Sequence, residues 1–347
     1  MKMIKRLDFY YWLTLLLAPF AAWAERVLAL GAQGHLGYFG YAKEATWGTA
    51  VAATDYSELL SETLATAIDR FGTRNIFSGF YEPDDYAGVR RTTGGIVLAA
   101  NPIALGALLR GTFNNGSVAV VLSGFLHTTH FTSTRSEFAD GVPRQPYTLE
   151  VYRDITSAHR YTGAVINRLT LALAPNQDLR ATVEWLAQAR VLIAKTTPTF
   201  PGSPVDPFTF DTASVQLAGA ANTRFEAFNM SVDNQLEGIL VLNNSTTIAR
   251  IRASNPQMIR ISGTLDFIDN AEQEDFINQT ERVLRLTLTR AASFALSIEA
   301  PRFVYTAHAG NMSGRGRTTA TFEGMARYLT SSLTAIGLQL TNTRSNH

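Results

Sequence analysis

The chain has 347 residues, of which 46% are hydrophobic and 17% charged. That composition excludes a disordered ground state and leaves length for two domains with buried cores. A formal net charge of +1 gives no electrostatic reason for tight nucleic-acid binding, and the absence of cysteine excludes disulfides and cysteine-ligated zinc without fixing the compartment.

Residues 1–24 differ in kind from the rest. Lys2, Lys5 and Arg6 precede the apolar run Leu13-Thr14-Leu15-Leu16-Leu17-Ala18-Pro19-Phe20, which leads to Ala22-Trp23-Ala24. A basic start, an apolar middle and an A-x-A end read as a secretory signal peptide. The run is too short, and too broken by Pro19, for a comfortable membrane span. The other reading is a start codon placed too early, with a translated GTG at Val27 as the natural beginning. Residues 1–26 are therefore set apart as a leader.

Gly31–Ala53, rich in glycine and aromatics, reads as an extended arm or edge strand. Its Gly31-x-x-Gly34 is no dinucleotide fingerprint, because no strand precedes it and no helix clearly follows. Tyr56–Asp69 reads as strand with some helical ambiguity. Gly72–Arg91 reads as a long loop carrying Arg74, Asp84, Asp85, Arg90 and Arg91, and loops of that length are usually functional or disordered. Thr93–Gly111, TGGIVLAANPIALGALLRG, is an apolar strand running into a short helix. Asn101 is placed to cap it, Pro102 takes the first helical position, and Gly111 follows the last.

Val118–Leu126, Tyr147–Tyr152, Ala164–Leu173 and Leu179–Trp185 continue the strand pattern, with a turn at Pro175-Asn176. Pro198, Pro201, Pro204 and Pro207 mark Thr196–Pro207 as the connection between two domains, 27–196 and 197–347. Strands resume near Ser214–Ala218, Glu226–Val232 and Glu237–Leu242. In Ile259–Thr289, Ile259, Ile261, Gly263, Leu265 and Phe267 alternate with polar residues, the period of a half-buried strand. Asp269 and Asn270 offer capping oxygens, with Glu272 and Gln273 three residues on, as in a capping box. A short helix, 271–281, with a narrow apolar edge at Phe276 and Ile277 is expected. Alternation then returns at Leu284, Leu286 and Leu288 against Arg285, Thr287 and Thr289. Phe294–Glu299, Thr319–Gly324 and Leu333–Leu340 complete the strands.

The strand–capped helix unit occurs twice. Gly94 and Asn101 match Gly263 and Asn270, an offset of 169 (263 − 94). Ala181-Thr182-Val183-Glu184 matches Ala320-Thr321-Phe322-Glu323, an offset of 139 (320 − 181). Two echoes in the same order favour an internal duplication with about thirty extra residues in the first copy. The expected fold is mainly β: a duplicated β-sandwich, each unit flanked by a short α-helix.

No catalytic constellation is present in the sequence. His127 and His130 stand three apart without the glutamate of H-E-x-x-H, and in a strand they point to opposite faces. Asp84 and Asp85 read as solvated loop charges. Gly310–Arg317, GNMSGRGR, lacks the G-K-[ST] ending of a phosphate loop, and no G-x-S-x-G elbow occurs. The reading is a non-enzyme without metal or cofactor.

The start GHLGYFGYAKEATWGTA, the strand near Leu59–Asp69, the strand Gly163–Leu171 and the unit SGTLDFIDNAEQEDF together resemble the major tail tube proteins of long-tailed bacteriophages, from about Leu28 onward. That resemblance implies a β-sandwich flanked by a short helix, assembled into rings that stack into a tube through which DNA passes without specific binding. It implies as partners other copies of the chain, a tape measure protein and a tail terminator, with no membrane, and a place in the virion after assembly in the host cytoplasm. Single-domain members of this type build rings of six, so a duplicated chain leads to rings of three, with six chains as the competing count. The resemblance also implies that the loop with Arg74, Asp84, Asp85, Arg90 and Arg91 reaches the neighbouring ring. Half-polar strands such as Arg285-Thr287-Thr289 suit a wettable lining.

Two other classes use the leader as a genuine signal. One is a secreted β-sandwich adhesin or binding protein. The other is an outer-membrane barrel, which has no place for two capped helices and for which the Ser345-Asn346-His347 ending is atypical.

Overall fold

The computed structural model describes residues 32–72, 84–113, 117–122, 126–131, 143–200, 206–310, 312, 315–331 and 334–344. The leader, Arg74, Pro83 and residues 345–347 lie outside them. In chain order the first elements are β1 (Tyr38–Lys43), β2 (Asp55–Ser57), β3 (Ser61–Glu62), β4 (Ala65–Gly72), β5 (Asp85–Ala99) and helix α1 (Pro102–Phe113). Then come β6 (Ser117–Leu122), β7 (Leu126–Phe131), β8 (Tyr147–Tyr152), β9 (Ser157–Leu173), β10 (Arg180–Ala187) and β11 (Ala189–Ala194). Past the proline-rich connection lie β12 (Ala213–Leu217), β13 (Ala220–Ala221), β14 (Phe225–Asp233), β15 (Leu236–Ile239), β16 (Arg250–Ala253) and β17 (Met258–Asp266). Helix α2 (Ala271–Ile277), β18 (Arg282–Ala291), β19 (Phe294–Ala309), β20 (Thr319–Ala326) and β21 (Gly337–Asn342) follow.

Every pairing is antiparallel. One run of eight strands reads β4·β5·β10·β9·β14·β17·β20·β19. Two further layers cover it: β2·β1·β8·β9·β11, and β13·β12·β18·β19·β21·β7·β6. The two long strands make this geometry. The first part of β9 pairs with β8 and β11 and its second part with β10 and β14. β19 likewise pairs with β18 and β21 before Phe303 and with β20 after it. Each passes from one layer to the other, the β-sandwich arrangement expected from the sequence.

The order β2·β1·β8·β9·β10·β5·β4 recurs as β13·β12·β18·β19·β20·β17·β14. The irregularities recur with it. A bulge between Glu184 and Trp185 sets Glu184 against Arg168 and Trp185 against Ile166. Its counterpart sets Glu323 against Ala307 and Gly324 against Tyr305. A second bulge, Tyr147/Leu149 against Ala164/Tyr161, recurs as Arg282/Leu284 against Phe303/Ala300. The two echoed segments are hydrogen-bonded neighbours in both halves. One detail departs from the sequence alignment: Gly94 faces Trp185, whereas Ile261, not Gly263, faces Gly324. The slip is two residues, an even number that keeps each face in place.

The core fills the space between layers. Ile96, Leu98, Leu149, Val151, Leu169, Leu171, Val183, Met230, Val232, Ile261, Leu286 and Phe322 belong to one buried cluster that spans both halves. Helix α1 lies inside it, buried on nearly every side, which explains its all-round apolar sequence. Asn101 caps it as expected, its Oδ1 accepting the Ile103 N–H at 2.7 Å. Gly111 does not end the helix, which runs on to Phe113. A Cβ there would sit 2.8 Å from Ile166 Cδ1 and 3.0 Å from the Tyr147 ring, so the glycine serves close packing against β9.

Helix α2 is shorter than expected and ends at Ile277. Asp269 supplies the cap, accepting the Ala271 N–H at 2.9 Å, while the Asn270 side chain makes no capping bond. The capping box does not form: Glu272 is drawn to Arg224 instead. Phe276 packs on the core, but Ile277 is exposed. The buried face is polar, with Glu272 and Asp275 held by Arg224 and Arg282.

Candidate assembly surfaces

The two halves meet through strand pairing. β14 lies along the second part of β9, from Phe228 opposite Leu173 to Asp233 opposite Arg168. Alternation places Leu169, Leu171, Met230 and Val232 in the core and Thr170, Asn229 and Ser231 on the other face. Arg168 bridges the seam, 2.6 Å from Asp233 and 3.4 Å from Glu184. The bond to Asp233 is the main reason its guanidinium holds its proton even more firmly than usual.

The same kind of edge is left unpaired at both ends of the run. β4 bonds only to β5, so its outer edge has no partner among the described residues. From Val304 to Ala309, β19 bonds among the described residues only to β20, because β18 reaches no further than Phe303. The unpaired part of β19 is the counterpart of the part of β9 that β14 occupies. The line β3–β4 is the counterpart of β14, since both flank the strand that leads into the helix, β5 or β17. An unpaired edge is a template for another strand.

One face of the eight-strand run is polar. Thr170, Thr182, Ser231, Ser262, Thr264 and Thr321 alternate with buried apolar neighbours, and Arg168, Glu184, Asp233, Arg260, Asp266 and Glu323 share their face. Arg168 is neutralised as described, and Arg317 lies against Glu226 and 3.7 Å from Asp266. β18, whose Arg285, Thr287 and Thr289 the sequence offers as a wettable face, sits in a covering layer, where Arg285 pairs with Glu299.

Two hairpin arms leave the sheet. Arm 1 is β4 with the first half of β5, where Asp85–Arg91 pair with β4 alone. The sequence reading placed a loop at Gly72–Arg91; the structure places strand over Asp85–Arg91, held by Arg70–Asp85 at 2.9 Å and Arg91–Asp69 at 3.0 Å, and residues 73–83 lie outside the described residues. Asp84 lies just before β5 and is exposed. Arg90 donates its N–H to Thr246 O at 2.8 Å, and Arg74 lies outside the described residues. Arm 2 is the β15–β16 hairpin, which the sequence reading caught only as one strand. Its Leu236, Ile248 and Ile251 pack on Trp47, Val165 and Leu186 of the first half. Asn167 Oδ1 accepts the Leu236 N–H at 2.7 Å. Buried Asn234 donates through Nδ2 to Ile166 O at 2.9 Å.

The remaining singled-out residues serve backbone packing. Gly94 takes φ +154, and a Cβ there would meet Thr63 O at 2.4 Å; at Gly263 it would meet Ala227 O at 2.0 Å. Both glycines therefore let a kinked neighbouring strand come close. His127 and His130 lie on β7 opposite Asn342 and Gln339 of β21, and among the described residues no group of metal-ligating side chains is gathered. No helix of the described residues is long and apolar enough to cross a membrane. Sequence reasoning missed the sheet edges because an unpaired edge has no composition of its own.

A mainly antiparallel β-sandwich with repeated strand order, paired charges and unpaired edges defines a structural building block. The chain belongs to the phage tail tube protein family, whose model matches residues 34–326. It is accordingly a structural component of the virion tail. No curated protein matches it.

Proposed function

We propose that the chain assembles head to tail into closed rings, that the rings stack into the tail tube, and that DNA passes down the bore on ejection. The observation that carries this is the relation between the internal junction and the two free edges. Inside the chain, β14 closes on β9. At the ends of the run, β4 and the second part of β19 present the corresponding pair of edges. A heterologous contact that repeats an internal one generates a ring if the rotation closes. The repeated strand order and repeated bulges support reading the chain as two tandem units, 38–194 and 213–342. Three chains then supply six units, and three runs of eight strands close into one barrel. The polar face is its lining. Hydroxyls and paired charges wet such a bore, and few free cations remain to hold phosphates. The tip of arm 1, at exposed Asp84, is the contact toward the next ring. Tape measure and terminator proteins complete the tail, which assembles in the host cytoplasm.

The registers support one closing pair. Thr93 faces Leu186 as Arg260 faces Met325, so Ala67, opposite Arg91, corresponds to Asp233, opposite Met258. Ala307, opposite Glu323, corresponds to Arg168, opposite Glu184. Ala67 of one chain therefore stands beside Ala307 of the next, as Asp233 stands beside Arg168. Antiparallel partners have Cα atoms about 4.5–5.5 Å apart, within disulfide reach, and no native cysteine competes. Oxidising assembled Ala67→Cys/Ala307→Cys protein should give a closed covalent trimer, while each single variant stays monomeric on a non-reducing gel. Native mass of about 114 kDa per ring, three chains of 38.0 kDa, is expected from closed-ring counting. A ring of six chains refutes the trimer.

A further inference from the structure

Two depressions occupy the same place on the two halves. The first, of 690 Å³, is floored by Thr93, Gly95, Asn167, Glu184 and Leu186 and bounded by Leu236, Leu240 and Ile248 of arm 2. The second, of 250 Å³, is floored by Arg260, Ser262, Thr306, Glu323 and Met325. Strand register makes the floors correspond: Thr93 with Arg260, Gly95 with Ser262, Glu184 with Glu323 and Leu186 with Met325. Asn167, one residue before Arg168, corresponds to Thr306, one before Ala307. The walls differ. Arm 2 bounds the first depression, and among the described residues no arm bounds the second.

Arm 2 connects β14 to β17, and arm 1 connects the counterparts β4 and β5. We propose that arm 1, through Ala65–Gly72 and Asp85–Thr92, seats on the second depression of the adjacent chain, over Thr306 and Met325. This rests on the ring reading above and adds a lateral contact to it, separate from contact between stacked rings. Three properties of arm 1 fit such a seat. It carries exposed apolar side chains, Ile68 at 46%, Phe71 at 60% and Tyr86 at 53%, with Phe71 against Tyr86. Four of its five charges are paired internally, Arg70 with Asp85 and Arg91 with Asp69, so covering these four strands no lone ion; Arg90 is the exception. It already touches arm 2 of its own chain through Arg90 and Thr246. In the ring, arm 1 is thus held between its own arm 2 and the neighbour, and the arms form a continuous collar.

The test contrasts corresponding positions. Leu186→Arg places a charge under a seat already filled within the chain and should lower the melting temperature of the monomer. Met325→Arg places the same charge in the unfilled counterpart. It should leave the monomer melting temperature unchanged and reduce ring yield, read by native mass spectrometry, at least tenfold. A photo-crosslinker at Met325 in assembled rings should join residues 65–72 or 85–92 of a second chain, located by peptide mapping. Rings with normal yield from Met325→Arg, or crosslinks mapping elsewhere, overturn the seat while leaving the ring reading intact. Absence of rings from the unsubstituted protein under all assembly conditions overturns both.

Discussion

At the scale of single residues, glycines and buried polar groups decide how closely strands approach. Gly163 has φ +61, and a Cβ there would lie 2.7 Å from Trp47 Nε1. Its N–H donates to Glu44 Oε1 at 2.9 Å. That carboxylate also accepts Thr148 Oγ1 at 2.7 Å and the Gly48 N–H at 2.8 Å. Burial pushes the Glu44 pKa up, and these donors hold it back. Gly163→Ala should therefore cost about 2–4 kcal/mol by combining backbone strain with overpacking, measured by urea denaturation. The cap is worth less: Asn101→Ala should cost about 1 kcal/mol in the same assay. Two histidines set an acid limit. Burial lowers His159 and His308 below their ordinary 6.5, helped at His159 by Arg153 and Arg190 and opposed at His308 by Glu272. The unfolded chain binds these protons first, so stability is present above 6.5 and falls as pH drops below it toward the folded pKa values. A His159→Gln/His308→Gln variant should show a shallower loss over that window in melting temperature against pH.

At the scale of elements, helix α2 was legible as a short capped helix, but what anchors it was not. A polar helix face facing solvent and one facing two arginines look alike in sequence. Arg224 comes from the turn before β14 and Arg282 from the start of β18, so only the fold brings them to Glu272 and Asp275. Arg224→Ala leaves Glu272 buried without its cation and should cost about 3 kcal/mol. Arg285→Ala, at a more exposed pair with Glu299, should cost less than about 1 kcal/mol; calorimetry of the two variants separates them. The strands were legible where alternation was clear: Tyr147–Tyr152 was read to the residue. The lengths of β9 and β19 were not, because each crosses between layers and its burial pattern changes midway. Only the Asp85–Arg91 half of arm 1 reads as loop in the sequence, because it lacks apolar alternation and is largely exposed, as a strand outside the core is.

At the scale of the whole molecule, the halves are joined by more than the connection between them. β7 pairs with β21, Asn342 Nδ2 donates to Pro102 O at 2.8 Å, and β14 pairs with β9. The β6–β7 hairpin occupies the stretch where the first copy is longer, and it extends the layer of the second. A protease site placed in the 196–207 segment should therefore yield two fragments that co-elute in native gel filtration and separate only in denaturant. Fragments that part without denaturant would show that the shared core does not hold them. The same logic governs assembly: a run with unlike free edges adds copies in one direction, and closure depends on the rotation per chain.

The sequence by itself determined the class of fold, the two capped units and the family, because alternation, capping residues and echoed segments are local signals written at short spacing. It also placed Asn101 and Asp269 as caps, since a cap acts on N–H groups two residues away. Tertiary structure alone decided which edges stay open, which face gathers the polar residues of β9, β10, β14, β17 and β20, and where the arms lie. Those properties belong to pairs of segments far apart in the chain, such as Asp233 with Arg168 or Leu236 with Trp47. Neither member of such a pair carries a mark of the other until the strands are laid side by side.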